Sequence, residues 1–366
     1  MRKMLSPAFS QSALLDQEYL ISGIVDQFIQ VIGKKGHPGS NGINMAKWYE
    51  MVAFDILGEM ALGETFHSIE TGKPHFWADI ILKHLYFICL ADNLRRIGAI
   101  STIFSREQVK KRLASKESRK DFVSLLAQKV RKGELDEEEM AAHVSTLVLA
   151  GGETVSTILT GSTYLLLKHP EKLKRLVVEI RGAFKSYDDI KAQPAQQLEY
   201  LQAVINEGFR LLPPGPHGSA RISPGFSLHG QYIPEGTEIH TSPWAAAHDP
   251  RYFAEPMEFR PERWIDPNST DTKEASQPFS IGPRGCPGRK QVSFYPFQLF
   301  ELGMVKTDVL NSFAYLEVNL LLAKILWTYD LELMNKEVDW LKEGKAHLLW
   351  WKPKLFVRFH KRSDLS

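Results

Sequence analysis

Apolar residues recur every three or four positions through the first half of the chain, with polar residues between them. This spacing places the apolar side chains on one face of a helix, where they can be buried. Helices are therefore predicted near residues 21–32, at 45–62, from the acidic run at 136–139 to residue 168, and twice between 170 and 212. The pattern predicts a mainly α fold.

The pattern changes after Pro213-Pro214, where proline, glycine and aromatic residues are frequent as far as residue 288. A β-hairpin is predicted over 226–240, with its turn at Pro234-Glu235-Gly236. A second hairpin is predicted over 348–359, around Lys352-Pro353. The fold class is therefore mainly α with a smaller β-rich part.

The longest apolar stretch, residues 316–327, is interrupted by Glu317, Asn319 and Lys324. Spanning a bilayer needs about 20 nearly uninterrupted apolar residues, so this stretch is predicted to be a buried helix. No membrane span is predicted in this chain. No linker, repeat or low-complexity tract divides it, and residues 1–366 are predicted to form a single domain.

The composition excludes several classes of protein. The formal net charge of +2 gives no support for nucleic-acid binding. The two cysteines, Cys89 and Cys286, allow at most one disulfide, which excludes a disulfide-stapled secreted scaffold. Cys89 lies in an apolar segment and is interpreted as a packed core thiol.

The surroundings of Cys286 indicate chemistry. Glycines at 282, 285 and 288 allow a tight loop, and Pro287 favours a helix start, so Cys286 would lie just before a helix N-terminus. Both features lower the pKa of a thiol and favour the thiolate. A lone thiolate suits an axial haem ligand, because haem iron already has four ring nitrogens. The alternative is a turn with an inert cysteine, and residue chemistry alone leaves both open.

The pattern Phe-x-x-Gly-x-Arg-x-Cys-x-Gly resembles the haem-binding loop of the cytochrome P-450 family. Its positions are filled here by Phe279, Gly282, Arg284, Cys286 and Gly288. The resemblance implies a haem b cofactor with its iron axially ligated by Cys286.

Two further motifs resemble the same family in the same order along the chain. Residues 207–210 match its Glu-x-x-Arg helix, and residues 259–264 match its Pro-Glu-Arg-aromatic segment. The resemblance implies that Glu207, Arg210 and Arg263 form a buried ion network, which suits the bidentate geometry of arginine and carboxylate. Without the resemblance, an i,i+3 charge pair is ordinary on an exposed helix.

Residues 150–154, Ala-Gly-Gly-Glu-Thr, resemble the family's oxygen-activation motif. An acid beside an alcohol can relay protons to dioxygen, so the resemblance makes Glu153 and Thr154 the predicted catalytic residues. The alternative is that the glycines mark a helix irregularity and that Thr154 bonds a backbone carbonyl.

Haem propionates need cationic partners, and the family pattern offers three positions. Arg284 lies within the cysteine loop, and Arg221 matches the arginine that follows the Glu-x-x-Arg helix. Arg2 matches the arginine that ends the family's Trp-x-x-x-Arg motif, but the tryptophan of that motif is absent here. A solvent-exposed structural role is the alternative for each.

The resemblance implies a monooxygenase that inserts one atom of O2 into a C–H bond, the other atom leaving as water. Electrons would come from a separate NADPH–cytochrome reductase, since no flavin or dinucleotide fingerprint is visible. Segments such as Lys47-Trp48-Tyr49 are similar to those of fungal microsomal members that oxidise secondary metabolites. A small, mostly apolar organic substrate is therefore expected.

The chain departs from the family pattern in three places. The stretch between Phe104 and Asp121 is shorter than in relatives, which would trim helices over the distal pocket. The family's N-terminal region, with its membrane anchor, is expected to be missing, although the resemblance indicates the surface of the endoplasmic reticulum. An insert at 291–312, containing Pro296, separates the cysteine loop from the helix that follows it in relatives. We interpret the insert as a retained intron or gene-model error; a surface loop is the alternative.

Two other functions stay open on these residues. A truncated paralogue without catalytic activity would bind haem weakly or not at all, and the missing pocket walls and the insert favour it. The second open function is a haem-dependent rearrangement that needs no external electrons. The presence of Glu153-Thr154, which resembles the oxygen-activation motif, argues against this function.

Overall fold

The computed structural model describes residues 11–75, 99–114, 121–288, 313–346 and 348–362. Its α-helices are α1 (Gln11–Lys35), α2 (Met45–Leu62), α3 (Ser68–Thr71), α4 (Ala99–Ala114), α5 (Phe122–Arg131), α6 (Glu137–Lys168), α7 (Pro170–Ala183), α8 (Ala192–Gln196), α9 (Glu199–Leu211), α10 (Pro243–Ala247), α11 (Phe313–Thr328) and α12 (Trp340–Glu343). Its strands are β1 (Ile43–Asn44), β2 (Arg221–Leu228), β3 (Gln231–Ile239), β4 (Tyr329–Leu333), β5 (Lys345–Ala346), β6 (Trp350–Trp351) and β7 (Phe356–Lys361). The prediction of a mainly α fold with a smaller β-rich part is confirmed.

The 32-residue helix α6 forms the centre of the helical core. Helices α2, α4, α9 and α11 all contact it. Three glutamates in its first turn oppose the helix dipole and stabilise its start. Nearly every residue from Gly152 to Leu166 is buried, so this half of the helix is packed on all sides.

The predicted boundaries of two helices, α2 and α6, agree with the structure. Helix α2 ends because Gly63 adopts a left-handed conformation and its N–H donates to the carbonyl of Glu59. Helix α6 ends at Lys168, just before Pro170 begins α7 in the first-turn position that proline favours. Local signals were therefore sufficient to place these ends.

The β-structure consists of small antiparallel units. Strands β1, β7 and β4 form one sheet in that order, while β2 pairs with β3 and β5 pairs with β6. The predicted hairpin at 226–240 exists, but its turn was placed wrongly. The turn is at His229-Gly230, where both residues have positive φ, and Leu228 pairs with Gln231 across it. Such a two-residue turn matches the twist of the strands.

The second predicted hairpin, over 348–359, is wrong. Strand β6 pairs with β5, whereas β7 lies between β1 and β4 in the other sheet. The extended segment between β6 and β7 contains Pro353, which has no backbone N–H to donate to a neighbouring strand. The two strands therefore belong to different sheets.

Helix α11 contains the apolar stretch 316–327 and is buried along its length, as predicted. No helix in the part of the chain that the structure describes is long and apolar enough to cross a membrane. The side chains of Asn319 and Lys324 are bonded to Gln202 and Asp26. Neither oxygen of Glu317 has a hydrogen-bond partner among the described residues, and burial raises the pKa of Glu317 well above its usual value.

Glu317→Gln should stabilise the protein, and more so at pH 8 than at pH 5. Because the fold favours the uncharged carboxyl, ionisation opposes folding as the pH rises above the unfolded pKa of about 4.3. The cost is about 1.4 kcal/mol for each pH unit between the unfolded and folded pKa. Urea denaturation at the two pH values measures it, with exposed Glu337→Gln as the control. An equal effect of Glu317→Gln at both pH values would contradict a raised pKa of Glu317 in the folded protein.

Candidate active site

An apolar cavity of about 210 Å³ is bordered by helix α6 and by the loop that carries Cys286. Helix α6 contributes Ala150, Gly151 and Thr154, and the loop contributes Phe279 and Cys286. The other described residues that line the cavity are glycines or have apolar side chains. The cavity thus offers one sulfur donor and one hydroxyl in apolar surroundings.

A backbone hydrogen bond closes the cysteine loop. The N–H of Cys286 donates to the carbonyl of Phe279 at 2.8 Å, and Gly282 inside the loop has a φ of +74°. A Cβ at Gly288 would lie 3.5 Å from the Cys286 Sγ, at ordinary contact distance, so Gly288 lies directly beside the sulfur. Pro287 and Gly288 form a turn, and the helix predicted to follow lies outside the described residues.

The Phe279 ring anchors this loop to two helices. It packs edge-on against Phe209 of α9 at a centroid distance of 5.1 Å and stacks on Tyr315 of α11 at 5.7 Å. The Tyr315 hydroxyl in turn donates to Asn206 at 2.7 Å. Packing of Phe279 therefore ties the position of the sulfur to α9 and α11.

The predicted oxygen-activation motif lies within α6, which is continuous across residues 150–154. The helix irregularity considered as an alternative is therefore not present. A Cβ at Gly152 would lie 2.8 Å from the Phe54 ring, and one at Gly151 would lie 2.6 Å from Leu57. The two glycines permit close packing of α2 on α6. The second part of that alternative is observed, since the Thr154 hydroxyl donates to the backbone carbonyl of Ala150 at 2.6 Å.

Glu153 is not among the residues that line the cavity. Its Oε2 accepts a hydrogen bond from Lys352 Nζ at 2.6 Å, and that ammonium also donates to Ser156 Oγ at 3.1 Å. Both charged side chains are buried. The structure thus separates the two predicted catalytic residues, with Thr154 at the cavity and Glu153 in an ion pair, and their roles stay predictions.

The structure brings Glu207, Arg210 and Arg263 into one buried cluster. Arg210 binds the Glu207 carboxylate with two hydrogen bonds of 2.8 Å, and Arg263 Nε donates to it at 3.1 Å. The Trp264 indole N–H and the Arg260 backbone N–H also donate to it, each at 2.9 Å. The carboxylate therefore accepts five hydrogen bonds, which offset the cost of burying its charge.

Asp271 completes this cluster by accepting a hydrogen bond from Arg263. Although burial opposes the shift, the Ala254 N–H and the Arg263 guanidinium lower the pKa of Asp271. The negative charges of the Glu207 and Asp271 carboxylates thus balance the positive charges of the two arginines in the cluster. Both guanidiniums also lie over the buried Phe253 ring, at 5.1 and 5.9 Å from its centroid.

Two of the three arginines predicted to hold haem propionates, Arg221 and Arg284, do not border the cavity. Arg221 donates to the carbonyls of Ser219 and Ala220, next to it in the chain. Arg284 is exposed in the short 3₁₀ turn Gly282–Arg284. Arg2, Cys89 and the predicted insert at 291–312 lie outside the described residues. The propionate assignments stay predictions.

Sequence reasoning missed Lys352 and Asp271. Lys352 lies 199 residues from Glu153, and no local pattern connects them. Asp271 is only eight residues from Arg263, but its segment has no regular structure whose period could indicate a shared face. Each of these two residues forms a buried ion pair that can be recognised only once the fold is known.

Comparison with known proteins identifies the class of protein. The model of the cytochrome P-450 family matches residues 1–291. The cytochrome P-450 monooxygenase BOT4 of Botryotinia fuckeliana is 54% identical over 99% of this chain and 68% of the relative. The monooxygenase ORF9 of Penicillium roqueforti (strain FM164) is 50% identical over 98% of this chain and 70% of the relative. The trichothecene C-15 hydroxylase of Fusarium sporotrichioides is 32% identical over 97% and 73%.

The chain belongs to the cytochrome P-450 family. It is an oxidoreductase of the monooxygenase type, and its cofactor is a haem whose iron is ligated by a cysteine thiolate. The haem domain of cytochrome P450DA shares the fold, with a TM-score of 0.79 over 99% of this chain and 75% of that one, at 20% identity. The thiol at the border of this apolar cavity is the kind of ligand that such a cofactor needs.

Glu207→Gln should lower the free energy of unfolding by about 3–5 kcal/mol, because it leaves buried guanidiniums without their counter-charge. The matched control is Glu138→Gln, which makes the same change in a half-exposed pair with Arg106 and should cost less than about 1 kcal/mol. Urea denaturation of both variants measures the difference. Equal losses in the two variants would show that the buried cluster contributes no more than a surface pair.

Gly152→Ala should destabilise the protein by up to about 2 kcal/mol. Overpacking against the Phe54 ring costs about 1–3 kcal/mol, and the gain in helix propensity offsets at most about 1 kcal/mol of that. In helix α1, a Cβ at Gly23 would meet nothing within 4 Å. Gly23→Ala should therefore stabilise by about 0.5–1 kcal/mol. Thermal unfolding measures both, and stabilisation by Gly152→Ala would rule out the close packing of α2 on α6.

Proposed function

We propose that this chain is a haem-thiolate monooxygenase that inserts one oxygen atom of O2 into a C–H bond of a small, apolar, secondary-metabolite-like substrate. A separate NADPH–cytochrome reductase supplies the electrons. The observation that supports it most directly is that Cys286 and Thr154 border the same apolar cavity.

The residues have separate roles in this proposal. When bound, the haem supplies the activation of dioxygen, which a thiolate ligand favours by donating electron density. Cys286 provides that thiolate, and the Phe279 anchor fixes its position. The Thr154 hydroxyl is the one described side-chain hydroxyl at the cavity and would hold a proton there. Glu153, which lies outside the cavity in its ion pair with Lys352, would supply protons to the site.

The lining of the cavity favours an apolar substrate. Its described side chains include Leu57, Val155, Ile158 and Leu349, and none besides the Cys286 thiolate carries a formal charge. Binding in such a site relies on removal of apolar surface from water. A relative named as a trichothecene hydroxylase supports the same substrate class.

The decisive experiment is the absorption spectrum of the reduced, carbon-monoxide-treated protein. The parent should show the red-shifted Soret band of thiolate-ligated haem, and Cys286→Ser should lose it. Thr154→Ala is the matched control, since it changes another cavity residue without touching the sulfur and should keep the band. Circular dichroism checks that each variant is folded.

Two results would contradict the proposal. A Cys286→Ser variant that keeps the red-shifted band would place the ligand elsewhere. A folded parent that binds no haem would favour the inactive paralogue. If the parent shows the band, turnover of apolar candidate substrates with reductase and NADPH then tests the reaction.

A further inference from the structure

Three aromatic side chains extend from the wall of the cavity towards the protein surface. Trp350 lies in strand β6 and is buried, and Trp340, the first residue of α12, is fully buried. The two indole rings meet edge to face, with their centroids 6.0 Å apart. The Tyr164 ring of α6 lies 5.9 Å from the Trp340 ring. Trp350, Trp340 and Tyr164 therefore form a continuous aromatic row.

The inner end of the aromatic row lies directly behind the wall of the cavity. Leu349, the residue before Trp350, lines the cavity. The Trp350 indole N–H donates to the carbonyl of Pro213 at 2.8 Å, and Pro214, the next residue, also lines the cavity. Two segments that contribute to the wall thus hold Trp350 in place.

The outer end of the aromatic row lies near the protein surface. Tyr164 is half-buried, and its hydroxyl oxygen accepts a hydrogen bond from the backbone N–H of Trp340 at 3.3 Å. Burial raises the pKa of Tyr164; the Trp340 N–H opposes this shift, and the negative charges of Asp339 and Glu343 add to it. The hydroxyl therefore keeps its proton at neutral pH and lies near charged surface residues.

The order of residue types in the row matters for electron transfer. Tryptophan and tyrosine are the aromatic side chains that lose one electron most readily, whereas phenylalanine resists this oxidation. Tyrosine also releases its hydroxyl proton when it is oxidised, which makes it a stable end point for the loss of an electron. Two inner tryptophans and an outer tyrosine are therefore arranged for electron flow towards the cavity.

We propose that Trp350, Trp340 and Tyr164 conduct one electron from the surface to the cavity when no substrate is oxidised. The electron leaves Tyr164, whose hydroxyl proton passes to solvent, and Trp340 and Trp350 are each oxidised and then reduced again. The electron reduces the oxidant that a monooxygenase makes from dioxygen. A thiol in solution then restores Tyr164 with one electron and one proton. The aromatic row thereby protects the protein from its own oxidant, an inference that rests on the proposed function.

Electron paramagnetic resonance tests this path without any turnover of substrate. Haem-loaded protein that is mixed with hydrogen peroxide and frozen should show the signal of a tyrosyl radical, and Tyr164→Phe should lose it. Trp340→Phe should weaken the signal severalfold. This substitution breaks no indole hydrogen bond among the described residues, because the Trp340 indole N–H has no partner there. A signal of parental size in either variant would overturn the path.

Trp351→Phe is the matched control. Trp351 follows Trp350 in strand β6, but successive side chains of a strand point to opposite faces, and Trp351 is 38% exposed. The same substitution at this position should leave the tyrosyl signal unchanged. A loss in Trp351→Phe as large as that in Trp340→Phe would show that the electron does not follow the buried row.

Bleaching of the haem absorbance tests the protective role. With peroxide and no substrate, Trp340→Phe and Tyr164→Phe should bleach severalfold faster than the parent, because the oxidant then attacks the haem instead. Trp351→Phe should bleach at the parental rate. Equal rates in all four proteins would overturn the protective role.

A light-driven measurement separates failure of the path from failure of the proposed function. A ruthenium–bipyridine photo-oxidant is attached at Leu348→Cys, an exposed position, in a chain that also carries Cys89→Ser and Cys286→Ser. Light should then produce the Tyr164 radical whether or not haem is bound. If the parent lacks the thiolate spectrum, the proposed function fails, while the presence of this radical supports the path and its absence overturns it.

Folding of the variants is checked by circular dichroism. Tyr164→Phe removes a single hydroxyl at a half-buried position and is expected to fold. If Trp340→Phe does not fold, Tyr164→Phe alone decides the path: loss of the tyrosyl signal supports the path, and a signal of parental size overturns it.

Discussion

The buried carboxylate of Glu207 organises the long irregular segment that leads to the cysteine loop. The chain from residue 240 to residue 288 has only short helical turns and no strand, so few backbone ladders hold it. The two guanidiniums that bind Glu207 also donate to backbone carbonyls within this segment, including those of Ala247, Pro256 and Ala254. One carboxylate on α9 thereby fixes a long stretch of irregular chain.

Helix α9 also connects this irregular segment to the cavity. Its Phe209 packs on Phe279, whose carbonyl closes the loop that carries Cys286. A Cβ at Gly208 would lie 2.6 Å from Ser162 Oγ, so α9 approaches α6 closely. Neighbouring residues of one helix thus position both the sulfur and the helix that carries Thr154. Helix α9 therefore helps to place the sulfur and the hydroxyl at one cavity.

The parts predicted well from the sequence depend on local rules. Helix α2 was predicted residue for residue, since Gly63 and the apolar spacing are local signals. The loop of Cys286 was recognised through its resemblance to the family's haem-binding loop, because residue chemistry alone left an inert turn as an alternative. The turn at His229-Gly230 was missed because Pro234-Glu235-Gly236 is a stronger turn signal locally, although it lies within β3. Lys352 was missed because its contact with Glu153 exists only after α6 and the C-terminal strands are in place. Tertiary contacts of single charged residues leave no periodic trace in the sequence.

The proposed chemistry requires a bond between the Cys286 sulfur and the haem iron. X-ray absorption at the iron edge of the purified, haem-loaded protein measures the atoms around the iron directly. We expect one sulfur bonded to the iron together with four ring nitrogens, and replacement of that sulfur by a lighter atom in Cys286→Ser. Iron without a sulfur neighbour in the parent protein, or a set of neighbours unchanged by the substitution, would contradict this assignment.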